Sequence, residues 1–356
     1  MNDYIYKLYQ QLTGHTVSEA LLAFEQLEIR DGRTGDLFFE TYGVPNTIEL
    51  FNAPYERFVC YELLMQMLKS EDPAKFSLMH KGTPYYFLAW TAFEIRNFSK
   101  AVFYMDLALG EDIRKSTTPG KTQADAAREA LNNPGGNLWK FVPEGPAARV
   151  IQQLKQLITR ELQNYKSRTS EEIKLDEFVG KFVIKNIVQD VKNRSLISSL
   201  YSYMTEADDL YETLKIRSQN LSSIEPLLNS LFKGGLIFES LLKVVADQKA
   251  WTVSTTGRGS GRKPSTLGEF SRCNDFLTLF GLASGDFVTS APDLQTTLSN
   301  ANDDTLKTSF STTAQLRNTA GHDLKRDDIF QNPDDYVRLI NKQLNAIFFV
   351  IKKALV

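Results

Sequence analysis

The chain has 356 residues, which is enough for two domains that each bury a hydrophobic core. Its apolar content of 42% and charged content of 24% are those of an ordinary globular protein. The formal net charge of −2 excludes a generally basic nucleic-acid-binding protein, so any RNA contact must come from a local patch.

The N-terminus lacks the basic-then-apolar pattern of a secretion signal, and no apolar run approaches membrane-spanning length. Cys60 and Cys273 are far apart in sequence, so they suggest neither a disulfide framework nor a metal cluster. Two isolated cysteines fit a reducing compartment. We therefore expect a cytoplasmic protein without a membrane partner.

The N-terminal part of the chain alternates helical patterns with a turn. Apolar residues at helical spacing predict a helix over residues 18–28. They predict another over residues 47–69, which the internal Pro54 can split or kink. Between them, glycine and aspartate at residues 30–35 predict a turn. Residues 38–42 are interpreted as a short strand or an irregular segment.

Residues 85–109 carry small and aromatic side chains at regular spacing. Leu88 and Ala89 are followed by the aromatic Phe93 and, further along, by Ala101 and Tyr104. The segment resembles a tetratricopeptide repeat, in which small residues let two helices approach closely. The resemblance implies a helical hairpin at residues 83–112, inside an N-terminal helical domain. Such a repeat needs stacked neighbours, and we expect this domain to bind a regulatory protein or ligand.

Helical patterns continue through the rest of the chain. Loops rich in proline and glycine at residues 115–145 surround a short helix predicted at residues 123–131. Longer helices are predicted at residues 147–165, 175–190, 196–214 and 224–245, and a final one begins near Asn332. The polar segment at residues 166–171 divides the chain into domains at residues 1–168 and 169–356. No strand–helix alternation appears, so the fold class is mainly α.

Two glycines, Gly234 and Gly235, stand in the middle of the predicted helix at residues 224–245. Each costs about 1 kcal/mol of helix propensity relative to alanine. We expect another backbone to pass close to this point. Glu239 follows on the same helix, where it can pair with Arg317 or simply mark the edge of a core face.

The most informative segment is residues 314–324, which read Ala-Gln-Leu-Arg-Asn-Thr-Ala-Gly-His-Asp-Leu. A helical stripe formed by Leu306, Phe310 and Ala314 continues to Arg317. Gly321 is a natural helix stop, because glycine tolerates the left-handed conformation that ends a helix. His322 can then turn toward the side of Arg317. A permanent cation beside a group that titrates near neutral pH suits cleavage of a phosphodiester.

This segment resembles the signature of the HEPN superfamily, whose active members are ribonucleases. Arg317, Asn318 and His322 match its pattern of an arginine, a polar residue, a short spacer and a histidine at a helix end. The resemblance implies a HEPN-like helical bundle after the N-terminal helical-repeat-like domain. It also implies a composite site at a homodimer interface through the C-terminal domain, and a role as a toxin or antiviral defence effector.

Each candidate residue has a structural alternative. His322 can be a surface histidine that interacts with the dipole at a helix C-terminus. Arg317 can hold the scissile phosphate through its planar fork or pair with an acid as a structural arginine. Asn318 can orient the phosphate or cap the chain where the helix ends.

The segment at residues 249–263 is polar and contains no acidic residue. Arg258, Arg262 and Lys263 can bind the RNA backbone, although a solvated loop needs no such function. His15 and His80 have no partner pattern and are interpreted as structural. Because no metal-ligand spacing occurs in the chain, we expect neither a metal nor another cofactor.

Cleavage of RNA without a metal can use the neighbouring 2′-hydroxyl as nucleophile. One group must accept its proton and another must protonate the leaving oxygen, so one histidine per chain favours a two-fold dimer. The sequence therefore predicts a metal-independent endoribonuclease. The alternatives are a non-catalytic helical scaffold and a regulator that binds RNA or a nucleotide without cleavage.

Overall fold

The structure is a computed structural model that describes residues 3–44, 54–95, 97–115, 146–188, 194–216, 225–254, 261–320 and 333–356. Within these ranges the regular elements are all helical and no strand is present, which confirms the mainly α fold class. Contacts divide the chain into unit 1, Met1–Leu154, and unit 2, Lys155–Val356. The predicted boundary after residue 168 lies further along, at the end of the helix Pro146–Thr169.

Unit 1 is built from helices that bury aromatic side chains between them. They are α1 (Asp3–Thr13), α2 (Val17–Gln26), α3 (Gly32–Tyr42), α4 (Pro54–Glu71), α5 (Pro73–Leu78), α6 (Gly82–Glu94) and α7 (Phe98–Lys115). The prediction of a helix at residues 18–28 is confirmed by α2. Pro54 is the first residue of α4, a position where its missing N–H costs no hydrogen bond.

The prediction of a turn and then a strand or irregular segment before residue 42 is wrong, because α3 occupies this region. The side chain of Asp31 accepts a hydrogen bond of 3.0 Å from the backbone N–H of Thr34 and caps the helix. Phe38 and Phe39 are then buried in the core of unit 1. Gly35 serves close packing, because a Cβ there would lie 2.4 Å from the backbone oxygen of His80.

The helices α6 and α7 coincide with the predicted hairpin and pack against each other. Ala89, Ala101 and Ala108 are fully buried, as expected where small residues allow two helices to approach. The predicted helix at residues 123–131 lies outside the described residues. The relation to tetratricopeptide repeats stays a prediction.

Unit 2 begins within α8 (Pro146–Thr169), which corresponds to the helix predicted at residues 147–165. After α8, the helix α9 (Leu175–Glu177) continues as a π-helix, Phe178–Val188. The remaining helices are α10 (Arg194–Ile216), α11 (Glu225–Gln248), α12 (Leu267–Phe270), α13 (Asn274–Phe280), α14 (Leu294–Asn300), α15 (Leu306–Ala320) and α16 (Pro333–Val350), which ends in a π-helical turn.

The core of unit 2 lies where α11, α15 and α16 pack against one another. Phe310 of α15 is fully buried, and its ring centroid lies 5.0 Å from those of Phe238 and Phe280. Edge-on contacts of this kind stabilise a core beyond the area they bury. This cluster fixes α15 against α11 and thereby sets the position of its last turn.

The glycine pair of α11 lies at two close helix contacts. A Cβ at Gly235 would lie 2.5 Å from Cβ and 3.0 Å from Cα of Arg317 on α15. A Cβ at Gly234 would lie 2.6 Å from Oε1 of Gln343 and 2.7 Å from the hydroxyl of Tyr203. The expectation that another backbone passes close is confirmed at Gly235, whereas the close neighbours of Gly234 are side chains.

We predict that Gly235→Ala destabilises unit 2 by about 1–3 kcal/mol, because the added methyl must push α15 away from α11. The clash outweighs the gain of about 1 kcal/mol in helix propensity. Gly180→Ala is the matched control: Gly180 is exposed on a helix and has no atom within 4 Å of its added Cβ. Thermal unfolding measures both, and an unchanged or higher melting temperature for Gly235→Ala would contradict the prediction.

Candidate functional site

Arg317 lies in the last turn of α15 and is anchored to α11. Its Nε donates a hydrogen bond of 2.6 Å to Oε2 of Glu239, whose side chain is only 6% exposed. Gly235 precedes Glu239 by one helical turn on the same face of α11. The backbone of Arg317 therefore packs on Gly235, and its guanidinium extends along α11 to the carboxylate.

Glu239 is shared between two cations. Its Oε1 forms an ion pair with Nζ of Lys243, which lies 2.8 Å away and one turn further along α11. Both carboxylate oxygens are thus paired, which offsets the free-energy cost of burying the charge. We call Arg317, Glu239 and Lys243 the Arg317 cluster; it carries one net positive charge.

Part of the Arg317 guanidinium remains available to bind a ligand. The side chain of Arg317 is 30% exposed, and its Nη1 and Nη2 have no hydrogen-bond partner among the described residues. The ring of Phe232 lies 5.8 Å from Cζ and covers one side of the planar group. A guanidinium held through Nε with its outer N–H groups unpaired can bind two oxygens of a phosphate.

Asn318 is engaged with the backbone of a neighbouring segment. Its Nδ2 donates a hydrogen bond of 2.6 Å to the backbone oxygen of Thr289. On the same helix, the hydroxyl of Ser311 accepts one of 3.1 Å from the N–H of Val288. These contacts tie the segment before α14 to α15. They favour a structural role for Asn318, although its contact is with this neighbouring segment and not the helix-end cap that the sequence suggested; a catalytic role stays a prediction.

His322 lies outside the described residues, as does Gly321. α15 extends to Ala320, so the helix that carries Arg317 runs to the residue before the predicted stop. The structure thus places Arg317 and Asn318 of the predicted triplet. The position of His322 relative to Arg317 stays a prediction.

Two of the three predicted RNA-binding cations are described and exposed. Nζ of Lys263 is paired with the carboxylate of Asp247, which compensates its charge. The backbone oxygen of Arg262 accepts a hydrogen bond of 2.9 Å from the N–H of Val253, so the ends of the loop are held together. Arg258 lies outside the described residues. A role of this loop in RNA binding stays a prediction.

His80 and the two cysteines are buried, whereas His15 is half-buried. His80 is almost fully buried, with its Nδ1 3.0 Å from a carboxylate oxygen of Asp36, consistent with a structural role. Cys60 and Cys273 are free and buried, and burial raises the pKa of the Cys60 thiol to about 12. That pKa disfavours the thiolate, the nucleophilic form, at neutral pH.

Metal-binding groups and membrane-spanning helices would also indicate a function. Within the described ranges no group of His, Cys, Asp and Glu residues could hold a metal ion. The helices described here also include none that is both long and apolar enough to cross a membrane.

Sequence reasoning missed one residue of the site. Lys243 follows Glu239 by four residues, a spacing at which a glutamate and a lysine face each other on a helix. That spacing was visible in the sequence, but the cluster became apparent only when Arg317 was found on the same carboxylate.

In comparisons of sequence and of fold, no family model, no curated protein and no solved structure matches this chain. The resemblance to HEPN proteins therefore rests on Arg317, Asn318 and His322, and the chemistry must be argued from the residues themselves.

We predict that Arg317 and Glu239 are energetically coupled. In a double-mutant cycle of Arg317→Gln and Glu239→Gln, the coupling should be about 1 kcal/mol or more, because Glu239 is buried. The pair Lys166 and Glu172 in the same unit is the control. Nζ of Lys166 lies 2.8 Å from Oε1 of Glu172, but both side chains are half exposed. Its coupling should stay below about 0.5 kcal/mol. Urea unfolding gives both values, and additive effects for Arg317 and Glu239 would refute the coupling.

Proposed function

We propose that this chain is a metal-independent endoribonuclease that cleaves RNA by attack of a 2′-hydroxyl on the neighbouring phosphodiester. The observation that carries the proposal is the orientation of Arg317. A buried carboxylate, Glu239, holds its Nε at 2.6 Å, and the outer N–H groups at the end of α15 have no partner among the described residues. In the sequence, His322 follows five residues later.

Arg317 would bind the scissile phosphate and stabilise the charge that develops on it in the transition state. A donor that is already oriented needs little reorganisation when the charge appears, and such groups supply a large part of enzymatic rate enhancement. Lys243 adds a second positive charge on the other oxygen of Glu239. The chain has a net charge of −2, so RNA binding needs a local positive patch, and the Arg317 cluster would provide one.

His322 would transfer protons. Histidine has an ordinary pKa of about 6.5, so both protonation states are accessible near neutral pH. Attack by the 2′-hydroxyl needs one base and one acid. A homodimer through the C-terminal unit would supply two histidines and two arginines around one groove. The need for a 2′-hydroxyl makes RNA the substrate and leaves DNA intact.

The resemblance to HEPN proteins suggests the biological setting. Many of them are toxins or antiviral effectors that cut the RNA of their own cell, and a cytoplasmic location would fit that role. Unit 1 would then bind a regulatory protein or ligand that controls unit 2. This part of the proposal is an analogy between folds and rests on no contact of this chain.

The ion pair of Arg317 and Glu239 also favours a second candidate, a helical scaffold without catalytic activity. A pairing of this kind stabilises the contact between α11 and α15 whether or not RNA is cut. The two candidates differ in what happens when the shape of the guanidinium is changed while its charge is kept.

We predict that Arg317→Lys and His322→Ala each slow RNA cleavage by about a hundredfold or more. Lysine keeps the charge near Glu239 but lacks the fork that binds two phosphate oxygens. Removing the charge altogether would also destabilise the buried carboxylate, so Arg317→Ala is a less specific test. The assay is the decay of a short labelled RNA, with melting temperatures measured in parallel.

Lys166→Gln serves as the control in this assay, because Lys166 is exposed and, in the described part of the chain, pairs with Glu172 alone. Near-wild-type cleavage by both Arg317→Lys and His322→Ala would remove these residues from the chemistry. An absence of any cleavage by the wild-type chain, as monomer and as dimer, would favour the scaffold.

A further inference from the structure

Unit 2 contains a cleft of about 430 Å³ between α8, α10 and α16. This volume lies within the range of about 300–1,000 Å³ that is typical of small-molecule sites. Its apolar lining residues are Met204, Ala207, Val337, Ile340 and Leu344. Its polar lining residues are Glu161, Asn164, Ser167, Arg168 and Asn341, and Tyr336 also lines it.

Arg168 points one unsatisfied donor into buried space. Its Nε donates a hydrogen bond of 2.9 Å to Oδ1 of Asn345, and Asn345 donates one of 2.8 Å to Asp304. The guanidinium is therefore held in one orientation. Its Nη2 is buried and has no hydrogen-bond partner within the described ranges. A buried N–H of a charged group without an acceptor costs free energy, and a ligand that supplies an acceptor recovers it.

Glu161 supplies the opposite charge at the other end of the cleft. It is only 6% exposed, and its Oε1 accepts hydrogen bonds from Nε of Arg160 at 3.1 Å and Nδ2 of Asn164 at 3.4 Å. Its Oε2 has no partner within the described part of the chain. This oxygen is therefore available to a donor in the cleft.

The two charges are separated along one helix. Seven residues correspond to about 10.5 Å of rise and return to nearly the same face, so Glu161 and Arg168 flank the cleft without contacting each other. The charged groups of the lining sum to zero. A phosphate group would meet the one cation of the lining and, nearby, the carboxylate of Glu161, whose Oε1 pairs with Arg160 outside the lining. A ligand with separated positive and negative ends matches both groups.

We infer that this cleft binds a short zwitterionic peptide of about dipeptide size. Its carboxylate accepts hydrogen bonds from Arg168, its ammonium group donates to Glu161, and its apolar side chains pack on Met204, Ile340 and Leu344. The unsatisfied Nη2 of Arg168 can donate a charge-assisted hydrogen bond to such a carboxylate. None of these residues belongs to the Arg317 cluster, so the inference is independent of the proposed RNA cleavage.

The test is calorimetric titration of the full chain with leucyl-leucine and with forms blocked at either end. We expect saturable binding of the free dipeptide. N-acetylation should weaken it by about tenfold or more, and so should C-terminal amidation, since each removes one charge-assisted contact. Because these ligands differ only at their ends, this comparison on the wild-type chain requires no variant to fold.

Variants then assign the ends. In Arg168→Gln the dipeptide and its C-terminal amide should bind equally, and in Glu161→Gln the dipeptide and its N-acetyl form should do so. Lys155→Gln, on the exposed face of α8, should bind like the wild type. Absence of binding up to roughly 10 mM overturns the inference. Equal binding of free and blocked peptides, or displacement of the peptide by inorganic phosphate or guanosine, also overturns it.

Discussion

The close approach of α11 and α15 is the constraint on which the candidate site depends. Gly235 lets the backbone of Arg317 pack directly against α11, since any side chain there would overlap with Arg317. From that position the guanidinium reaches Glu239, and the buried carboxylate in turn requires a cation. The packing and the electrostatics thus determine each other. Together they fix one side of the guanidinium and leave the other side for an anion.

Two arginines of unit 2 are held in the same way. Arg317 and Arg168 are each oriented through Nε by a side-chain oxygen, from Glu239 and from Asn345 respectively. In both, at least one outer nitrogen has no partner among the described residues. They differ in their surroundings. Arg317 has a second cation nearby and suits a phosphate, whereas Arg168 shares its cleft with the carboxylate of Glu161 and suits a zwitterion.

Much of the fold could be predicted because helical periodicity is a local signal. The paired glycines of α11 even indicated the close helix contact. The prediction for the region of α3 was wrong, because Asp31 and two nearby glycines resemble a turn when their tertiary contacts are unknown. In the structure Asp31 caps a helix and Gly35 packs on His80. The partnership of Arg317 and Glu239 spans 78 positions, and periodicity cannot distinguish a carboxylate at a core edge from one that orients an arginine. Lys243 was missed for the same reason.

The central claim is that Arg317 and His322 cut RNA through its own 2′-hydroxyl. It is tested most directly by identifying the product ends of a short RNA by mass spectrometry, in the presence and absence of excess EDTA. The account predicts a 2′,3′-cyclic phosphate on one fragment and a 5′-hydroxyl on the other, with a rate that EDTA leaves unchanged. Products with a 5′-phosphate, or loss of cleavage in EDTA, would instead indicate a water activated by a metal ion and would contradict the account.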